Sequence, residues 1–315
     1  MILATLRDAS PDGRLVVVAP SYDRMAFAPV ATLQQALERW EELAPILAAI
    51  TEFPEPLDQA RLAAPLPRSW QWLDGSAFAT HGELMQIAFK LPPIESHRPL
   101  MYQGMSDRFY GPLDDIPLPD EADGIDFEGE FGVMVDAVPM GTSAEDALRH
   151  IRLIVQINDW SLRAIAPLEM KTGFGWVQAK PACSMAPFAV TPGRLGPAWR
   201  EGRLDCDLLI DLNGRRFGSA NGAQMDFGFP ELVAHAARTR DLVAGTIIGS
   251  GTVSNRNYAD VGSSCISERR AIEIIAGGSP STPFLAFGDT VRMEARTPDG
   301  SAPFGVIEQK VVRAR

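Results

Sequence analysis

From about residue 98 to the C-terminus the chain is written in short apolar and β-branched runs broken by Gly and Pro. They are 131–135 (FGVMV), 207–212 (DLLIDL), 246–248 (TII), 290–294 and 304–312 (FGVIEQKVV). Runs of this length, bounded by turn residues, make most of the molecule β. Only two helices are expected in this region. One spans 143–156, with Ser143 as cap and Glu145-Asp146 at the positive end of its dipole; the other spans 230–240, with Pro230 in its first turn. Upstream, residues 2–6 and 14–19 flank Pro11-Asp12-Gly13, the signature of a β-hairpin. From Thr32, a plausible N-cap, apolar residues recur at three- and four-residue steps through Ile50, and Pro45 should kink that helix or split it. The Pro-rich stretch 51–69 reads as a connection. The expectation is an α+β chain, mostly β, with a small N-terminal α/β domain over 1–75 (hairpin plus helix) and a larger β-rich domain over 76–315.

The chain has 315 residues, 46% hydrophobic and 22% charged, enough to bury a large core. Lys and Arg number 29 against 40 Asp and Glu, a net charge of -11, and no basic stripe could follow a phosphate backbone. Nucleic acid is therefore not an expected partner. No signal-peptide pattern and no membrane-length apolar segment stands out, which leaves the cytoplasm as the expected compartment and no membrane contact. An acidic surface repels carboxylate substrates, so an anion site would need its own local positive charge. Cys183, Cys206 and Cys265 are widely spaced and odd in number, and read as core thiols.

Against this background the segment IDFEGEFGVMV, residues 125–135, is unusual. Glu128 and Glu130 stand two apart at the start of a run that otherwise reads as a buried strand, where alternation puts both on one face. Two desolvated like charges need a cation or a shared proton, unless the strand is a solvated edge. In IRLIVQINDWSLR, residues 151–163, an apolar run ends in Asp159, which is either a cap or a functional carboxylate. The three acids together would suit Mg²⁺ or Mn²⁺, while the scarcity of Cys and His near them disfavours zinc. Lys180, after an apolar, amide-bearing stretch, is either a surface lysine or the partner of a metal-bound carboxylate or an enolate. GTIIGSGTVSN, residues 245–255, is a strand running into a Gly-rich turn with Thr252 at its tip, and lacks any nucleotide-binding fingerprint.

With MYQGMSDRFYGP, IDFEGEFGV, INDWSLRAI, GFGWVQAKP, GSGTVSN and GSSCISERR in this order over residues 98–312, the chain resembles bacterial members of the fumarylacetoacetate hydrolase family. The resemblance implies a β-rich fold holding one divalent cation on Glu128, Glu130 and Asp159, with Mg²⁺ the first choice and Mn²⁺ or Ca²⁺ as alternatives. It implies that Lys180 assists the substrate oxygens and that Arg163 and Thr252 belong to the site, with Thr252 on the substrate carboxylate. A His–Glu pair that activates water is matched most nearly by His81 and Glu83, two residues apart where related short members have three. Ala166 stands where the animal enzymes carry a glutamine. Tyr102 and Arg108 are candidates to line the pocket. The implied activity is C–C bond hydrolysis of a small 1,3-dicarbonyl acid in aromatic-compound catabolism, by a homodimer. Decarboxylation, keto–enol isomerisation and non-catalytic ligand binding are the alternatives.

Overall fold

The computed structural model describes residues 1–92 and 96–314. At the centre of its larger sheet lies strand Gly129–Val135, here the Glu strand, every residue of which is buried. It pairs antiparallel with Ile151–Asn158, the Asp strand, and with Ile247–Gly249. Strand Ile247–Gly249 in turn runs parallel to Trp72–Ser76, which pairs with Leu100–Gly104. On the other side the Asp strand meets Ala189–Val190, and that strand meets the N-terminal hairpin of Ile2–Leu6 and Arg14–Val18. The sheet is thus continuous across residue 75. A second, five-stranded sheet contains Arg215–Asn221, Asp207–Leu212, Thr290–Arg296, Val306–Arg313 and Ile116–Leu118. Leu208 and Ile210 of this sheet press so close to Gly129 that an added Cβ would approach their methyls to 2.8 and 2.6 Å.

This double cover explains why the Glu strand reads as a continuous apolar run rather than an alternating one. Phe127, Phe131, Val133, Ile154, Ile210 and Ile307 form part of one buried core. Each large side chain so buried contributes about 1.5–3 kcal/mol, which offsets the cost of holding carboxylates in the same wall.

The hairpin forms as expected, and the Thr32 hydroxyl accepts from the Gln35 amide to cap helix Leu33–Glu38. The helical stretch does split, but at Arg39 rather than at Pro45, which sits inside the second helix, Trp40–Ala48. Ser143 caps the next helix, yet this covers only Ala144–Ala147 plus a 3₁₀ turn to His150. The remainder of the expected 143–156 helix is the Asp strand, because IRLIVQIN is β-branched and lies in the sheet core. The second expected helix ends early, as Phe229–Ala236.

Two longer helices escaped the pattern: Ala79–Phe89 and Ile266–Gly277. The second is fastened at its far end by Glu273, whose carboxylate accepts from the amides of Ser281 (2.6 Å) and Thr282 (2.9 Å) and from the Thr282 hydroxyl. Burial is the largest single influence and opposes its charge, but these donors together outweigh it and hold the carboxyl down at about 2. Since the folded value lies below the unfolded one, the stabilisation is present above about pH 4.3 and is lost as pH falls towards 2. Glu273→Gln is therefore expected to cost about 1–2 kcal/mol at neutral pH, and a urea titration should find that difference shrinking steadily in acid. An unchanged difference at pH 3 would rule the clamp out.

Candidate metal centre

Three strands of the large sheet deliver one carboxylate each to a single pocket. Glu130 comes from the Glu strand, Asp159 from the end of the Asp strand and Asp74 from strand Trp72–Ser76, and their oxygens lie within 4.8 Å of one another. All three side chains are buried. Asp74 needs glycines around it: a Cβ on Gly249 would come within 2.3 Å of its Oδ1, and the Gly251 amide donates to that oxygen at 3.1 Å. The GSG turn is thus the mould of one carboxylate.

Asp159 is the best supported of the three. Its Oδ2 accepts from the Tyr102 hydroxyl (2.6 Å) and from Lys180 Nζ (2.7 Å), and its Oδ1 from the Cys183 thiol (3.0 Å). Glu130 is the opposite case, since both of its oxygens are buried without a hydrogen-bond partner among the described residues. Burial first, and then the charges of Asp74 and Asp159, push its carboxyl well above the usual range. Burial and Asp159 do the same to Asp74. Orphaned oxygens beside two further carboxylates are the donor set that a hard divalent cation completes, so the residues fit such an ion.

Glu128 sits just outside this trio. It precedes the Glu strand, and its carboxylate turns to Arg163 (2.6 Å) and Lys180. Burial works against its charge, but Arg163, Lys180 and His81 together hold it well below the ordinary value. Arg163 also reaches Asp126 at 2.8 Å, and Asp126 accepts the amides of Ile266 and Ser267 at the start of helix Ile266–Gly277. Lys180 bridges Glu128 and Asp159, and these two carboxylates keep its ammonium charged although burial opposes it. Of the expected trio, Glu130 and Asp159 thus lie within 4.8 Å of Asp74, a further carboxylate, while Glu128 is joined to Asp159 through Lys180 and is also bonded to Arg163.

His81 and Glu83 do not meet in this structure. Both lie on helix Ala79–Phe89, where residues two apart face different ways. Glu83 is exposed, with Arg256 at 3.5 Å, whereas His81 Nδ1 lies 2.8 Å from Oε2 of Glu268. Glu268 is wholly buried in the first turn of helix Ile266–Gly277, and packing of the two helices brings the pair together. Thr252 is buried and directly follows Gly251, whose amide donates to Asp74. Arg108 falls elsewhere. Its guanidinium stacks on Tyr110 (4.6 Å) in an open surface cleft shared with Arg7, Asp8 and Asp114.

Asp74 and Glu268 are the two site residues that the sequence reading missed. Asp74 carried the same signal as the glutamates, an acid inside an apolar run (WLDGS). Glu268 could have been found by placing a helix start at Cys265, with an acid three residues on.

Fold and site define a β-rich protein with a buried acidic pocket and an adjoining His–Glu pair. The chain belongs to the fumarylacetoacetate hydrolase family: residues 71–312 match the family's fumarylacetoacetate hydrolase C-terminal model, and residues 1–68 match fumarylacetoacetase N-terminal domain 2. Among relatives, it is 27% identical to a 2,4-didehydro-3-deoxy-L-rhamnonate hydrolase from Sphingomonas sp. (strain SKA58) over 49% of this chain and 52% of the relative, about half the length of each. It is 25% identical to a mitochondrial oxaloacetate tautomerase from Rattus norvegicus over 70% of this chain and 68% of that one. The fold is that of maleylpyruvate hydrolase from Sphingobium sp. SYK-6, solved with manganese(II) and pyruvate: TM-score 0.69, 18% identity, each chain covered in full. Among the described residues, no helix is long and apolar enough to cross a membrane.

Proposed function

We propose that this protein is a divalent-metal-dependent hydrolase that splits a C–C bond in a small 1,3-dicarbonyl acid. The observation that carries the reading is the adjacency of two devices: the orphaned oxygens of Glu130 within the acidic trio, and the His81–Glu268 pair beside Glu128. A divalent ion on Asp74, Glu130 and Asp159 would polarise the substrate's carbonyl oxygens and supply positive charge for the developing enolate. The maleylpyruvate hydrolase, solved with manganese(II) and pyruvate, supports this cation class and a small keto acid.

The rest falls to the chain's own side chains. His81, oriented through Nδ1 by Glu268, takes a proton from water as its oxygen adds to one carbonyl carbon. The bond from that carbon to the intervening carbon breaks, and its electron pair leaves as the enolate of a methyl ketone, which then takes up a proton. Water has been consumed, and an acid and a ketone are formed. Lys180, fixed between Glu128 and Asp159, presents a lasting positive charge to the substrate oxygens. Thr252, next in the chain to the Gly251 that donates to Asp74, would offer its hydroxyl to the substrate carboxylate. Tyr102 holds Asp159 in place.

Similarity to oxaloacetate tautomerases favours one second reading, keto–enol tautomerisation, which moves a proton between carbon and oxygen and breaks no C–C bond. Assaying purified protein with Mg²⁺ or Mn²⁺ against acylpyruvates, fumarylpyruvate, fumarylacetoacetate and oxaloacetate separates the two. Hydrolysis is expected, seen as loss of the enol chromophore with release of a free acid. Conversion of oxaloacetate tautomers alone would establish the second reading, and no turnover of any substrate by metal-loaded protein would sink both.

A further inference from the structure

Between the Asp strand and Lys180 the chain forms a surface strap, helix Ala166–Thr172 followed by residues 173–178. It carries large apolar side chains in water: Leu168, Met170, Phe174 and Val177 are exposed, Phe174 to 96%. Trp176 turns inward instead, half-buried, and its ring meets the Tyr102 ring edge-on at 6.1 Å. Tyr102 in turn donates to Asp159, and Lys180 Nζ lies 5.5 Å from its ring. A single ring thus separates Trp176 from the acids. The base of the strap is fastened, because the Glu169 carboxylate accepts from the amides of Val177 (3.2 Å), Gln178 (2.9 Å) and Ala179 (3.0 Å). Its tip is not. Gly173 and Gly175 flank Phe174 at φ of +72° and +101°, and a Cβ on either would meet nothing within 4 Å, so the backbone there can swing.

The cations against the acidic pocket are meanwhile engaged. Among the described residues, Arg163 is shared by Asp126 and Glu128, and Lys180 by Glu128 and Asp159. A keto acid held at one end by a metal would find no spare cation there for a carboxylate at its other end. We propose that the strap selects the substrate's tail: Trp176 is the floor, and Phe174, swung inward, the cover, of a subsite for an uncharged apolar acyl group. Acylpyruvates with one carboxylate would then be preferred to dicarboxylates, a choice that rests on the function proposed above. Closing the strap on an apolar tail takes both surfaces out of water, whereas a tail carboxylate would be desolvated without a partner.

Calorimetric titration of the Mg²⁺-loaded protein with 2-oxo acids that lack the second carbonyl reads this preference without turnover. The probes are pyruvate, phenylpyruvate, 2-oxopentanoate and 2-oxoglutarate, the last two differing only in ending on a methyl or a carboxylate. 2-Oxopentanoate and phenylpyruvate should bind about 10–100-fold more tightly than 2-oxoglutarate. Trp176→Ala should cut that ratio to about threefold or less at unchanged pyruvate affinity, and Trp176→Phe should restore most of it. Phe174→Ala removes a side chain that already stands in solvent, so its fold is not at risk, and should lower the ratio by about 3–10-fold. Equal binding of 2-oxopentanoate and 2-oxoglutarate by wild type, or a full preference kept in Trp176→Ala, overturns the subsite while bound pyruvate leaves the function reading standing. A preference lost in Trp176→Ala but intact in Phe174→Ala overturns the closing of the tip. Failure of pyruvate itself to bind would overturn the function reading, and the subsite with it.

Discussion

Glu130→Gln is expected to make the metal-free protein more stable and, in the same stroke, to abolish its response to Mg²⁺. Both oxygens of this side chain are buried without a donor, and Asp74 and Asp159 stand beside it. A buried group left so costs about 1–3 kcal/mol, more when charged. A glutamine of the same shape has no ionised form to desolvate and offers both amide protons to the neighbouring carboxylates. Scanning calorimetry without metal should therefore show a gain of about 1–3 kcal/mol for the variant. With Mg²⁺ at 100 times its dissociation constant, wild type should gain about 2.7 kcal/mol and the variant nothing resolvable. Losing the cation's charge stabilisation of several kcal/mol should lower kcat by about 10²–10³-fold. A variant that is less stable without metal yet keeps its Mg²⁺ shift would show that Glu130 is a structural acid. The stability given up in the metal-free state is what makes the pocket attract an ion, a trade between stability and function common at such sites.

Much of this was legible in the residues, for a physical reason. Strands of the core announce themselves by β-branched runs, and an acid within such a run has few explanations, so Glu130 and Asp159 stood out from sequence alone. Glu128 stood out equally, but sequence could not show that Arg163, 35 residues away, and Lys180, 52 away, would take its oxygens. The His81–Glu268 contact spans 187 residues and depends on two helices packing together, and one of those helices lacks a strongly apolar face. Local periodicity carries nothing about such a contact, and the nearest glutamate in sequence, Glu83, took its place in the reading. The missed β identity of Ile151–Asn158 has a related cause. Its Ser143 start signal was genuine, but a helix cap fixes only a beginning, and the end was decided by the sheet.

The sharpest consequence of that long-range contact concerns water activation. His81→Ala should lower kcat by about 10²–10⁴-fold, the usual worth of a positioned general base, while the Mg²⁺-induced thermal shift stays within error of wild type because His81 lies outside the acidic trio. Glu268→Gln keeps the size of the side chain but weakens its hold on Nδ1, so it should fall between wild type and His81→Ala in kcat with little change in KM. Glu83→Ala should stay within about twofold, since that side chain is 54% exposed and its ion pair with Arg256, at 3.5 Å, lies at the surface. Combining His81→Ala with Glu268→Gln tests whether the two act as one unit. If Glu268 works through the imidazole, the double variant should be no slower than His81→Ala alone, because a relay once cut loses nothing further. Additive losses would mean that Glu268 meets the substrate or water by itself, and a large loss in Glu83→Ala would return the base's partner to the surface of helix Ala79–Phe89.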